Sequence, residues 1–272
     1  MSTLLELPDL LQGTDEWLEQ RRGIVTASVV KDLVTTRRLS AIDFDCPACD
    51  AASNAPCRSK RAASPIKTLH SERARVARNT DSNVMFETAS NDTSRALTAT
   101  LVAERITGWT VDMFVSDDMM RGVEDEPRAR DKYSEHFATV TETGFMVRDF
   151  GGGVKIGYSP DGLVGDHGLI EAKSRLPKKH LETILAGEPP RENMAQLQCG
   201  LLVSGRAWID YVSYCGGMPM WVKRVYPDRR WFDAIVTAVA AFEAEATEMI
   251  RAYNTAIDGF PTTNRELTEI RF

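Results

Sequence analysis

The chain has 272 residues, 43% hydrophobic and 26% charged, the balance expected of a globular domain with a sizeable core. No apolar run approaches the roughly 20 residues that a membrane-spanning helix needs. The start, MSTLLELPDLLQGTDEW, lacks the features of a secretory signal, so a cytoplasmic location is expected. The formal net charge of -6 argues against a uniformly basic nucleic-acid binder. It leaves room for carboxylates gathered around a divalent cation, with basic groups concentrated elsewhere.

In chain order, Thr14 is a good N-cap for a short helix reaching Arg22, with Trp17 and Leu18 as its apolar contacts. Thr26 or Ser28 is expected to cap a second helix through Val29, Val30, Leu33 and Val34. From about 37 to 83 the sequence turns rich in Ala, Ser, Cys, Pro and basic residues and loses its periodicity, which reads as an insertion with its own small structure. Helix returns near Asn91, with Leu97, Leu101, Val102 and Ile106 on one side and Gly108 as its stop, and again over about 121–137. Three strands are expected at 140–148, 154–158 and 169–174, separated by Gly151-Gly152-Gly153 and Asp166-His167-Gly168. Helices at 177–186 and 191–203, strands at 206–214 and 219–226, and a helix from Asp228 onwards complete the pattern. The order predicts an α/β (α+β) fold with a central mixed sheet flanked by helices, one domain over 1–272 carrying the 37–83 insertion.

An odd count of five cysteines argues against a disulfide framework. Cys199 and Cys215 lie in apolar contexts and read as buried thiols. Cys46 and Cys49 form a Cys-x2-Cys knuckle, and Cys57 and His70 complete a Cys3His set suited to a structural Zn²⁺. Seven basic residues follow (Arg58, Lys60, Arg61, Lys67, Arg73, Arg75 and Arg78), with Glu72 as the only acid among them, so the insertion reads as a DNA contact.

Asp161 precedes Glu171-Ala172-Lys173 by ten residues in GYSPDGLVGDHGLIEAKSR. Residues i and i+2 of a strand share a face, so Glu171 and Lys173 project together, and the Gly165–Gly168 turn folds Asp161 back beside them. Two carboxylates with a lysine suit Mg²⁺ (or Mn²⁺) and an attacking water. Glu171 and Lys173 also interrupt an otherwise apolar strand, where unpaired charge is costly.

Four segments in order carry a family resemblance: EWLEQRRGIVTAS, RGVEDEPRARDKY, YSPDGLVGDHGLIEAK and NMAQLQCGLLVSG. Together they resemble the lambda exonuclease/YqaJ-type viral recombinases, a branch of the PD-(D/E)xK nucleases with a restriction-endonuclease-like core. The resemblance spans the chain from Thr14 to the C-terminal helix, apart from the insertion. It implies metal ligation by the Asp161 and Glu171 carboxylates and the Ala172 carbonyl, with Lys173 positioning the water. Glu126 would complete the metal shell, with Glu124 its competitor. Gln198 would close the site, with Gln196 the alternative. Arg21 and Ser28, joined by Lys179 or Lys178, would hold the 5′-phosphate of a DNA end.

The expected activity is a Mg²⁺-dependent 5′-to-3′ double-stranded DNA exonuclease that leaves 3′ single-stranded overhangs for phage-type recombination. A homo-oligomer (trimer or tetramer) and a single-strand annealing protein as partner are implied with it. The alternatives are a structure-selective endonuclease of the same superfamily, including its iron–sulfur members, and a catalytically silent zinc-finger DNA-binding protein. Asp149, displaced by the glycine-rich turn, receives no catalytic role.

Overall fold

The computed structural model describes residues 2–59, 61–80, 84–111 and 116–265. Two sheets and a two-stranded ribbon form the scaffold. The first sheet has the order β1-β6-β7-β2, formed by β1 (Thr3–Leu7), β6 (Phe145–Asp149), β7 (Lys155–Tyr158) and β2 (Val25–Thr26). The second has the order β11-β10-β9-β8-β5, formed by β11 (Trp221–Val225), β10 (Trp208–Tyr214), β9 (Gly168–Ser174), β8 (Gly162–Val164) and β5 (Val140–Thr141). β2 and β7 run parallel, as do β9 and β10, and the remaining pairs are antiparallel. The parallel β9–β10 pair needs a crossover, which α5 (Pro177–Ala186) and α6 (Arg191–Ser204) supply.

The expected three-strand meander is therefore divided between sheets. β6 and β7 belong to the first, while the chain continuing through β8 and β9 belongs to the second. The break falls at Ser159-Pro160-Asp161, where Pro160 has no N–H to extend a ladder. β8 pairs with β9 only as far as Gly162 opposite Ile170, and the next inward-facing N–H, that of Ala172, is taken by the Asp161 carboxylate at 2.7 Å.

Helix ends follow local chemistry. In α3 (Asp92–Thr107), Asn91 and Ser94 form a reciprocal capping box, and Gly108 ends the helix at φ 71°. Ser116 caps α4 (Asp117–His136), whose first turn carries Asp117 and Asp118 against the positive end of the helix dipole. α1 (Asp15–Arg21) is capped by Thr14, and α7 (Arg229–Ala256) by Asp228.

The helix expected over 26–34 is absent. Val25–Thr26 pairs with β7, a three-residue 3-10 turn covers Val30–Asp32, and β3 (Val34–Arg38) follows. This stretch is dense in Val and Thr, whose branched side chains favour a pleated surface, and pairing with β7 decides the outcome. β1 is the other departure: it is a mostly exposed edge strand and shows no clean alternation.

β3 pairs antiparallel with β4 (Val84–Thr88) and forms the neck of the insertion. Beyond that neck sit the helix α2 (Ser71–Asn79) and a small core of Cys46, Ala51 and Cys57 with Ile66 against it. Lys60 and the C-terminal limit of the insertion at 81–83 lie outside the described residues. The main core packs Ile156, Leu169 and Ile209 of the sheets against Leu197 of α6 and Val239 and Phe242 of α7. On the other face of the second sheet, Ile170 and Val212 meet Ala129 and Tyr133 of α4. Adjacent β9 residues thus serve opposite cores, and Glu171 points with Leu169 toward the larger one.

Candidate active site

A cleft of about 390 Å³ opens where α1, β2, α4, β9 and α6 converge. Asp161, Glu171, Ala172, Lys173 and Glu126 line it, together with Arg21, Thr26 and Ser28. Glu171 is 1% exposed, and every partner it has is directed. Lys173 Nζ donates to its Oε1 at 2.7 Å, Gln196 Nε2 to the same oxygen at 2.5 Å, and Tyr158 Oη to Oε2 at 3.3 Å. Tyr158 is itself buried, and Gly200 of α6 makes room for its ring: a Cβ there would meet the ring at 2.7 Å. Arg130 ties α4 to the Asp161 loop, donating to the Asp161 carbonyl at 2.8 Å and pairing with Glu126 at 3.3 Å.

The charges are unbalanced. Burial, then the Glu171 and Glu126 charges, push the Asp161 carboxyl well above the usual range, against the pull of Lys173 and the Ala172 N–H. Burial likewise raises Glu126, helped by Glu171 and opposed by Arg130 and Lys173. Burial alone would lower Lys173, but Glu171 and Asp161 outweigh it, and the ammonium ends above its ordinary value. Three carboxylates stand against two cations, Lys173 beside Glu171 and Arg130 beside Glu126, which leaves an oxygen donor set with a net negative charge that a hard divalent cation fits.

In the same cleft, the Arg21 guanidinium lies 4.1 Å from the Trp17 ring centroid, and Trp17 Nε1 donates to Ser159 Oγ at 2.9 Å. Burial lowers the Arg21 pKa, and the charge of Glu104 opposes this. The Thr26 and Ser28 hydroxyls are 3.1 Å apart.

Two expected members are elsewhere. Gln198 is buried, but its amide is spent on structure: Nε2 donates to the Tyr226 carbonyl at 2.9 Å, and Oε1 accepts from Asp228 N–H at 2.8 Å. The glutamine at the cleft is Gln196. Residues two apart on a helix point about 200° apart, so only one of them can face it. Lys179 does not reach the cleft. It is exposed on α5 and faces Glu182 at 4.0 Å, as Lys178 does at 3.9 Å. Glu124 is exposed, whereas Glu126 lines the cleft. The loss of the 26–34 helix also removes the helix N-terminus once expected beside Ser28. The three-residue 3-10 turn has no side-chain cap bond.

The insertion gathers its four ligand candidates. One atom each of Cys46, Cys49, Cys57 and His70 lies within 4.8 Å of all the others, and Cys46 Sγ to His70 Nδ1 is 3.4 Å. Ligands around a tetrahedral Zn²⁺ stand about 3.5–3.8 Å apart at Zn–S of about 2.3 Å, so the donor set fits that ion. Backbone N–H groups of Arg58 and His70 point at the Cys49 and Cys57 sulfurs at 3.3 and 3.5 Å, as suits thiolates.

Arg73 does not face solvent as expected of a DNA-contacting residue. It is 0% exposed and donates to the carbonyls of Phe44, Ala55, Ile42 and Ala52. Arg58, Arg61, Lys67, Arg75 and Arg78 remain exposed. The sequence placed Gln198 ahead of Gln196 and did not mark Tyr158, Trp17 or Arg130 as site-forming residues. The spacing of Arg130 four residues after Glu126 was the one available signal.

Residues 70–207 match the model of the YqaJ-like viral recombinase domain, and residues 12–86 match that of a phage zinc finger domain. The chain is similar to the crystal structure of an alkaline exonuclease from Laribacter hongkongensis. The identity is 28% and the TM-score 0.65, over 91% of this chain and 100% of that one. The structure of the same exonuclease in complex with dAMP matches at 28% identity and a TM-score of 0.64, with the same coverage of both chains. Among curated proteins no match was found.

Proposed function

The chain belongs to the YqaJ-like viral recombinase domain family, and from that premise we propose that it digests duplex DNA from a 5′ end with a divalent cation, leaving a 3′ single strand. It is an exodeoxyribonuclease, in keeping with the similar alkaline exonuclease and its dAMP complex. One observation carries the finer reading: the carboxylate–lysine cluster shares one cleft with Arg21, Thr26 and Ser28.

Asp161, Glu171 and Glu126 would hold Mg²⁺ (or Mn²⁺), with the Ala172 carbonyl as a further ligand. The cation would neutralise charge on the scissile phosphate and ease deprotonation of the attacking water. Lys173 stays protonated beside Glu171, so it acts as a donor that orients the water and faces the developing charge, not as a base. Glu126 would complete the shell around the cation and the water, steadied by Arg130 at 3.3 Å. Gln196 and Tyr158 fix Glu171 so that its carboxylate does not swing. Arg21 and Ser28 take the terminal 5′-phosphate, with Arg21 backed by the Trp17 ring.

Cys46, Cys49, Cys57 and His70 would hold a structural Zn²⁺. The exposed basic residues of the insertion would then meet the DNA backbone. Assembly as a trimer or tetramer around DNA, and hand-over of the 3′ strand to an annealing protein, complete the reading on the strength of the family. Action in the cytoplasm belongs to the same family-based reading; among the described residues no helix is long and apolar enough to cross a membrane.

The test is digestion of linear duplex labelled separately at each 5′ and 3′ end, with and without 5′-phosphate, in Mg²⁺. Mononucleotide release from the 5′ end, faster with the phosphate and absent in Asp161→Asn, is expected. Internal cuts, or release from the 3′ end, overturn the reading.

A further inference from the structure

Arg21 ends α1, and the chain must reverse at Gly23 before β2 can join β7. Gly23 has φ +67°, in the left-handed region where a side chain costs energy. Its N–H donates to Glu104 Oε2 at 2.7 Å, and its carbonyl accepts from Arg105 Nε at 2.6 Å. Successive residues of α3 thus grip both polar groups of one turn residue. Arg105 then forks onto Glu243 of α7, Nη1 to Oε2 and Nη2 to Oε1, each at 2.7 Å. These side chains are 25% and 16% exposed, so water screens the pair only partly. A Cβ on Gly23 would stand 2.5 Å from Arg105 Cγ, which shows how closely the arginine lies along the turn.

Glu104, Arg105 and Glu243 do not line the cleft, yet the turn they hold joins Arg21 to Thr26, Ala27 and Ser28, which do. Among the described residues Arg21 makes no ion pair of its own. Its guanidinium lies over Trp17, and its aim depends on the backbone that carries it. A pocket that must capture a terminal phosphate gains affinity when its donors are held in place beforehand. Two charged side chains on the turn, braced by a third from a different helix, supply that constraint.

We propose that Glu104, Arg105 and Glu243 are positioning residues that clamp the Gly23 turn and thereby set the preference for phosphorylated over hydroxyl 5′ ends. The inference rests on the reading of Arg21 and Ser28 as the 5′-phosphate pocket. The experiment measures kcat and KM on duplexes with a 5′-phosphate or a 5′-hydroxyl, for the full chain and for Arg21→Gln, Arg105→Met, Arg105→Lys and Glu243→Gln. Arg105→Met is expected to raise KM for the phosphorylated end on the order of tenfold, with kcat and the hydroxyl-end values little changed. Arg105→Lys, which keeps the charge beside Glu243, is expected to recover part of the preference. Glu243→Gln, which conserves volume and one acceptor, is expected to show a smaller loss and guards against misfolding of the methionine variant. If Arg21→Gln abolishes the preference while all Arg105 and Glu243 variants keep it, the clamp is refuted and the pocket stands. If the unmodified chain shows no preference and Arg21→Gln changes nothing, the pocket reading fails, and the clamp falls with it.

Discussion

Replacing Arg73 by methionine removes a buried cation that pairs with no carboxylate among the described residues. Its guanidinium instead donates to four carbonyls, those of Phe44 at 2.6 Å, Ala55 and Ala52 at 2.7 Å and Ile42 at 3.1 Å, and approaches Cys57 Sγ at 3.5 Å. Methionine fills the space of the arginine stem but supplies no donor. A hydrogen bond to a charged group contributes about 1.5–3 kcal/mol, and a buried carbonyl left without a donor costs about 1–3 kcal/mol. Two of them, the carbonyls of Phe44 and Ala55, lose their donor, while those of Ile42 and Ala52 keep the N–H groups of Asn54 and Ala55, so the loss is about 2 kcal/mol at the low end. The apolar core beneath them consists of Cys46, Ala51 and Cys57 with a few half-buried neighbours, too little to absorb that loss. The segment between β3 and β4 is therefore expected to open while the two sheets stay folded. Release of Zn²⁺ to a chromophoric chelator and limited proteolysis report on this directly. The variant should lose metal many times faster and be cut between 39 and 80, with the far-ultraviolet spectrum nearly intact. Unchanged metal retention and unchanged protease resistance in Arg73→Met would refute the reasoning.

Lys173→Met is expected to lower turnover about 10²–10⁴-fold and to lower the melting temperature as well, because the buried Glu171 carboxylate loses its ammonium, as single-turnover digestion and calorimetry would show. The two glutamines should separate: Gln196→Ala lowers activity at near-normal stability, whereas Gln198→Ala loses about 1–3 kcal/mol of stability by stranding the Tyr226 carbonyl and the Asp228 N–H, seen in urea titrations. Chelation should expose three thiols to alkylation, those of Cys46, Cys49 and Cys57, while Cys199 and Cys215 react only after unfolding, as mass spectrometry of the labelled chain would show. Burial pushes the Cys199 thiol far above its ordinary value of 9.0, so the folded state resists its ionisation. Stability from this group is complete below pH 9.0 and is lost as pH rises beyond it, by about 1.4 kcal/mol per unit at most. Cys199→Ala should flatten the alkaline limb of the stability curve by that amount.

The helices with strong end signals were legible because caps act locally: Asn91 and Gly108 mark both ends of α3, and Asp228 marks the start of α7. Glu171 and Lys173 were legible for a similar reason, since a strand's two-residue period places them on one face whatever the rest of the chain does. The four zinc-ligand candidates needed only their residue types and spacing. The glutamines were not legible. α6 buries Leu197, Gln198, Cys199, Gly200 and Leu201 in succession, so its hydrophobic pattern has no polar side from which to read a direction. The same limit applied to Arg73, one basic residue among several in a row, whose burial depends on carbonyls from a loop up to 31 residues away.

By itself, then, the sequence determined what is set within a few residues: helix boundaries, the shared face of Glu171 and Lys173, and the ligand types of the Cys46 cluster. Tertiary structure alone decided which polar groups meet across long separations. The 26–34 segment became strand because β7 lay beside it, and the meander parted at Pro160 because the Asp161 carboxylate, not a ladder carbonyl, satisfied Ala172 N–H. Gly23 acquired its grip from residues 81 and 82 positions away. Such contacts form only when a collapsed core fixes the relative placement of whole elements, and no local propensity encodes that placement.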